Sequence, residues 1–389
     1  MTKYLPIVLS GGGSKGPYGA GVLMLLAKYL EEKEPDTIPC YFGTSVGALN
    51  ATMAAQGDIE KLRELYAQIS TKDILNRKNA EISKFRLFWK GKQSPFSYFD
   101  NSALEKTIKK HASFEKLQIK NGHVTISVMN FNSGELETFY HSTLIDQFIE
   151  EDRTKALEKQ RFRQYRKIGC QSDLVNALLA SAAIPFFFPQ VPIEHPDESV
   201  SHYVDGGVGD NTPTRQAAFF CRFLNALNLG KVERVICVVN DPEKFSINPT
   251  AHDLEIFGVI SRTIELYHNE IIKDLLITWD RVNEEVDLLR KKEGEVREIL
   301  NDISNIPAEE KDSIFCKISS ILRRSTAGTS RVSLPLVKIR PSSRLVENSL
   351  EFNKTKAIEL QKIGYADAAH ALNFEEAMEP SLDLQEKNT

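Results

Sequence analysis

The stretch Leu5-Pro6-Ile7-Val8-Leu9-Ser10-Gly11-Gly12-Gly13-Ser14-Lys15-Gly16 runs from an apolar strand-like segment into a glycine loop, and a helix-like segment, Pro17–Leu30, follows it. A glycine loop between strand and helix leaves backbone N–H groups at the positive end of a helix, where they stabilise an anion. Further along, Gly43-Thr44-Ser45-Val46-Gly47 has the G-x-S-x-G form of a nucleophile elbow, a strained turn that holds a serine hydroxyl out of the fold. Ile38–Gly43 reads as the strand entering it and Ala48–Gln56 as the helix leaving it. Far downstream, Asp205-Gly206-Gly207 sets a carboxylate beside two residues that permit a tight turn. The three motifs are the parts of a serine hydrolase that needs no histidine. Ser45 is the expected nucleophile and Asp205 the general base. The loop Gly11, Gly12, Gly13, Ser14, Lys15 and Gly16 supplies the oxyanion and substrate contacts, chiefly through the N–H groups of Gly12, Gly13 and Ser14.

Each motif has a rival reading. Gly11–Gly16 also fits the G-x-G-x-x-G dinucleotide fingerprint, which wants an acidic residue at the end of a second strand about 20 positions on. Here Glu31, Glu32, Glu34 and Asp36 precede that strand, and the strand runs into Ser45 instead. Asp210 is a decoy for Asp205, better placed to pin the Asn211-Thr212-Pro213 turn. A Ser-His-Asp triad is the alternative mechanism, with His202 nearest Asp205 and His195 after an apolar loop. Lys15 either steadies the loop, neutralises a phosphate, or is simply solvated.

In this order the motifs resemble the patatin-like phospholipase family. Leu179-Ala180-Ser181-Ala182-Ala183-Ile184-Pro185-Phe186-Phe187-Phe188-Pro189 is similar to its helix-then-proline block, and Tyr203–Pro213 to its catalytic aspartate segment. Phe99–Leu104 resembles a family segment loosely. The resemblance spans about residues 4–245. Lys15 departs from it, since many relatives carry arginine there; the charge is kept and bidentate geometry is lost. The resemblance implies an α/β fold, a three-layer α/β/α hydrolase with a mainly parallel central sheet. It also implies cleavage of fatty-acyl esters of membrane phospholipids or other acyl lipids through a Ser45–Asp205 dyad, with no metal or cofactor. The alternative from another class is an effector or interaction protein switched on by a partner or signal at the charged helical region 251–325.

Composition bounds the rest. The chain has 389 residues, 41% of them hydrophobic, enough for a substantial core. A formal net charge of −4 gives no reason to expect nucleic acid. Five cysteines, an odd number without C-x-x-C spacing, fit a reduced compartment and offer no metal site. No apolar run approaches about 20 residues, so the expectation is a cytoplasmic chain with no more than peripheral membrane contact. Two segments suit a lipid interface: the Phe186-Phe187-Phe188 triplet, whose plainer reading is an acyl-pocket or core wall, and Lys84–Lys92, where cations alternate with Phe85, Phe88 and Trp89. The expected layout is one hydrolase domain over 1–375, with its motif core at about 4–245, a helical extension at about 251–372 and a tail at 376–389. Val232–Asn240 and Leu334–Ile339 are expected strands, and Ser349–Leu372 a helix broken at Gly364.

Overall fold

The computed structural model describes residues 1–77, 97–152, 164–244, 256–324, 333–346 and 349–374. The Lys84–Lys92 stretch and the 376–389 tail lie outside them. In chain order the elements that position the site are β1 (Lys3–Leu9), α1 (Gly16–Lys33), β2 (Thr37–Thr44), α2 (Val46–Ala55), β3 (His123–Asn130), β4 (Leu136–His141), β5 (Tyr165–Lys167) and α3 (Gln171–Ser181). They continue with β6 (Val191–Glu194), β7 (Val200–Asp205), α4 (Thr214–Ala226), β8 (Lys231–Val232), β9 (Val235–Val238), α5 (Ile256–Asp302), α6 (Ala308–Arg324), β10 (Leu336–Ile339) and α7 (Lys354–Ala371).

The main sheet runs β10-β9-β1-β2-β3-β4-β5, with β8 beside β1 and the β6–β7 hairpin on β3. Its centre, β10 through β3, is parallel, while β4 and β7 each pair antiparallel with β3. Parallel strands are buried on both faces, which is why β1 and β2 read as apolar runs without alternation. Their side chains still divide. Leu5, Ile7 and Leu9 enter one core, packed by α1, α2, α3 and α7, whereas Val8, Cys40 and Phe42 enter a second core with α4 and α5. The result is the three-layer α/β/α arrangement, and the C-terminal ends of β1 and β2 deliver the glycine loop and Ser45 side by side.

Three boundaries differ from expectation. Val232–Asn240 is two short strands, because Glu233 and Arg234 between them turn to ion pairs with Lys231 and Glu34. The last helix begins at Lys354, where the Asn353 side chain accepts from the Lys356 N–H. It also continues through Gly364. The missing side chain lets α1 and α7 touch there, since a Cβ on Gly364 would lie 2.1 Å from the Tyr18 carbonyl oxygen. The 47-residue α5 is no mere appendage. Its Ile260 and Ile264 pack on the first core and its Ile272 and Leu276 on the second.

Candidate active site

Ser45 sits between β2 and α2 with φ 56° and ψ −128°, a conformation rarely adopted by a residue with a side chain and typical of strain held at functional sites. The turn closes only because Gly47 is bare: a Cβ there would lie 2.2 Å from the Leu9 carbonyl oxygen. The Ser45 backbone N–H donates to Ser181 Oγ at 2.9 Å, and Ser181 Oγ donates in turn to the Ser127 carbonyl at 2.7 Å. Ser181 lies inside the block that marked the family resemblance, but its tie to Ser45 depends on α3 crossing the sheet, which no local pattern announces.

Asp205 ends β7, and its Oδ1 accepts the Gly207 N–H at 2.7 Å. Burial pushes its carboxyl up from 3.8 to about 7, against the opposing pull of the Ser45 side chain and the Gly207 N–H. Both residues line one cavity, and the Ser45 side chain favours the ionised carboxylate. Asp210 is also buried and raised to about 7, but its work is structural: Oδ1 accepts the Thr212 N–H and its carbonyl accepts from Thr44 Oγ1.

The glycine loop corrects part of the sequence reading. The Ser14 N–H is not free, because it donates to the Ser349 carbonyl at 2.7 Å. Gly11, Lys15 and Gly16 also spend their N–H groups, on the carbonyls of Asn211, Gly12 and Gly13. Gly12 and Gly13 keep theirs without a partner among the described residues. Gly13 takes φ 56°, and a Cβ would lie 2.2 Å from the Ser349 carbonyl oxygen, so only glycine fits.

Lys15 is not solvated. It is 2% exposed, with Nζ 2.5 Å from Asp241 and 2.9 Å from Glu265. Burial works against its charge, but the two carboxylates outweigh burial and hold the ammonium above its ordinary value. Glu265 also receives Arg262 at 2.8 Å and Arg344 at 3.0 Å. A five-residue charge network thus ties α5 to the loop. Beside it, burial pushes His268 down to about 4, so its ring is neutral at physiological pH, and the ring lies against Gly207, where a Cβ would come within 3.1 Å of its Cε1. His195 is engaged elsewhere, with Arg166 and Ser201. Glu265 and His268 lie beyond every motif, and helical spacing alone gave no sign that α5 returns to the site.

A cavity of about 700 Å³ opens over Ser45, Asp205, Gly12 and Gly13. Its walls are mostly apolar, as in typical ligand sites, with Ile184, Phe186, Phe187 and Phe188 and, from α5, Val259 and Ile264 among the lining residues. The aromatic triplet is split: Phe187 and Phe188 are buried, while Phe186, at φ 71°, is 56% exposed. Among the described residues no group of three His, Cys, Asp or Glu stands where it could hold a metal ion.

Residues 7–218 match the patatin-like phospholipase family. That match covers more than half of the chain. The chain belongs to the patatin-like phospholipase family. Its patatin-like region therefore holds Ser45 and Asp205, and α5, with Glu265 and His268, lies beyond the matched residues. Among solved structures the chain is similar to VipD from Legionella pneumophila, with 14% identity, a TM-score of 0.41, and coverage of 96% of this chain and 67% of that one. No curated protein matches. Among the described residues no helix is long and apolar enough to cross a membrane.

The raised Asp205 has two consequences of opposite sign. A general base must be ionised, so in a mechanism that uses Asp205 as one, turnover rises with pH through about 7 and levels above it. For stability, the folded state holds protons on Asp205 and Asp210 that the unfolded chain has released. This contribution is fully present below pH 3.8 and lost as pH rises through about 7. We expect kcat/KM to climb while melting temperature falls across that window. A rate that stays flat from acid to neutral pH would show that no buried carboxylate is the base.

Proposed function

We propose that the protein is a serine acyl hydrolase that cleaves fatty-acyl ester bonds of phospholipids or related lipids. The observation that carries this reading is Ser45 in a strained elbow on the floor of an apolar cavity, facing a buried carboxylate whose proton affinity is tuned to about 7. In this mechanism Asp205 takes the hydroxyl proton as Ser45 Oγ bonds to the ester carbonyl carbon, and the carbonyl electron pair moves onto oxygen. The N–H groups of Gly12 and Gly13 face the resulting oxyanion; one such donor contributes about 2.7–4 kcal/mol. Asp205 then returns the proton to the leaving alcohol. A water molecule deprotonated by Asp205 then attacks the acyl carbon, Ser45 Oγ leaves and takes that proton back from Asp205, and the fatty acid is released. The phenylalanine wall accommodates the acyl chain. The glycerol and headgroup side faces the rim, where contact with the membrane is peripheral.

Lys15 is assigned to holding the loop rather than to binding a phosphate, since Asp241 and Glu265 already balance its charge. A histidine base is disfavoured because burial holds His268 at about 4, which leaves it a weak base near neutral pH. Incubation with phosphatidylcholine vesicles tests the reading: free fatty acid should accumulate with wild type and not with Ser45→Ala. Equal release by both proteins would remove Ser45 from the mechanism.

A further inference from the structure

Beyond Asp205 the chain turns through Asp210-Asn211-Thr212-Pro213. The Asn211 backbone carbonyl is occupied, accepting the Gly11 N–H at 3.0 Å. Its side chain is another matter. Asn211 is 1% exposed, and neither Oδ1 nor Nδ2 has a hydrogen-bond partner among the described residues. A buried amide left unpaired costs about 1–3 kcal/mol, so such groups are few in native proteins and each calls for a reason.

Its surroundings supply the reason. A Cβ on Gly11 would lie 2.2 Å from Asn211 Oδ1 and 3.2 Å from the Ser45 Cβ. A Cβ on Gly207 would lie 3.1 Å from the same Oδ1 and 2.9 Å from Asp205 Oδ1. The amide is therefore wedged between the glycine loop and the Asp205 turn, next to both members of the dyad, and it lines the cavity over Ser45. The terminal torsion of asparagine is broad and roughly two-fold, so either amide atom can turn to the cavity. The loop itself is short of a donor there, because Ser349 has taken the Ser14 N–H.

We propose that Asn211 is a catalytic residue whose Nδ2 donates a hydrogen bond to the ester oxygen as it becomes an oxyanion, beside the N–H groups of Gly12 and Gly13. This rests on the acyl-hydrolase reading above. No covalent change occurs at Asn211: the carbonyl electron pair moves to oxygen when Ser45 Oγ attacks, and the amide accepts no proton. A neutral donor suits the place, since it adds no charge beside Asp205.

The test pairs Asn211→Leu, close in shape and apolar, with Asn211→Ala, assayed on a soluble short-chain ester alongside thermal melting. Both variants should lose about 10²–10³-fold in kcat with KM within a few-fold of wild type. The melting temperature of Asn211→Leu should equal or exceed that of wild type, because an unpaired buried amide has been removed. A structural amide would behave oppositely, with lower melting temperature and a kcat that recovers on cooling; that result, or a kcat within threefold of wild type in the folded Ala variant, overturns the assignment. Labelling of Ser45 in wild type by a fluorophosphonate separates the two readings. If wild type labels and Asn211→Leu keeps full kcat, only the role of Asn211 falls. If wild type does not label, the hydrolase reading falls and takes this one with it.

Discussion

Ser45→Ala and Asp205→Asn each reduce ester hydrolysis to background, a loss on the order of 10⁴-fold or more, and the double variant is no slower than either alone. The non-additivity follows from chemistry. One proton passes between the two side chains, so removing either end stops the transfer and removing the other then costs nothing further. The folds survive, for identifiable reasons. Ser45→Ala keeps the backbone tie to Ser181, which uses the N–H and not the hydroxyl. Asp205→Asn removes a carboxylate that burial has pushed to about 7, so at pH 8 the variant should melt above wild type. A variant that is inactive and more stable cannot owe its inactivity to unfolding. Near-full turnover by Asp205→Asn would contradict the dyad. So would a histidine, His268 first among them, whose replacement stops turnover without unfolding.

Lys15→Met should be the most damaging single substitution for stability near the site, at about 3–5 kcal/mol, the usual cost of stranding buried charge. Asp241 and Glu265 are 4% and 7% exposed and both face the ammonium. Glu265 would keep Arg262 and Arg344, so the stranded group is Asp241. Chemical denaturation at pH 7 reads the loss. Turnover should fall with stability, because the same network joins α5 to the glycine loop. A loss below about 1 kcal/mol would mean that water screens these charges and that α5 is held chiefly by its apolar contacts.

Much of this site was legible in the sequence because its parts are local. The elbow Gly43–Gly47 demands glycine where backbones meet, and the strand–loop–helix order around Gly11–Gly16 is written in consecutive residues. The pairing of Asp205 with Ser45 was legible only through the combination of motifs, since 160 positions separate them. What escaped was tertiary. Ser349 takes the Ser14 N–H from near the other end of the chain, so Ser14 reads as a donor when it is already spent. Lys15 reads as a support of the loop, a phosphate ligand or a solvated side chain, and nothing local chooses among them, because its two carboxylates come from the loop after β9 and from α5. Asn211 looked like turn filler beside Asp210; only burial without partners set it apart. The single strand expected over Val232–Asn240 is interrupted at Glu233-Arg234, whose side chains pair with Lys231 and Glu34.

The central claim is that Ser45 is an activated nucleophile and Asp205 its base. Peptide mapping by mass spectrometry after reaction with a fluorophosphonate addresses it most directly, since only a serine whose proton can be removed attacks phosphorus at a useful rate. The account predicts a single adduct on Ser45 in wild type, formed faster as pH rises through about 7. In Asp205→Asn the adduct should be absent or greatly slowed. An adduct on another residue, or none at Ser45 while ester hydrolysis proceeds, would contradict it.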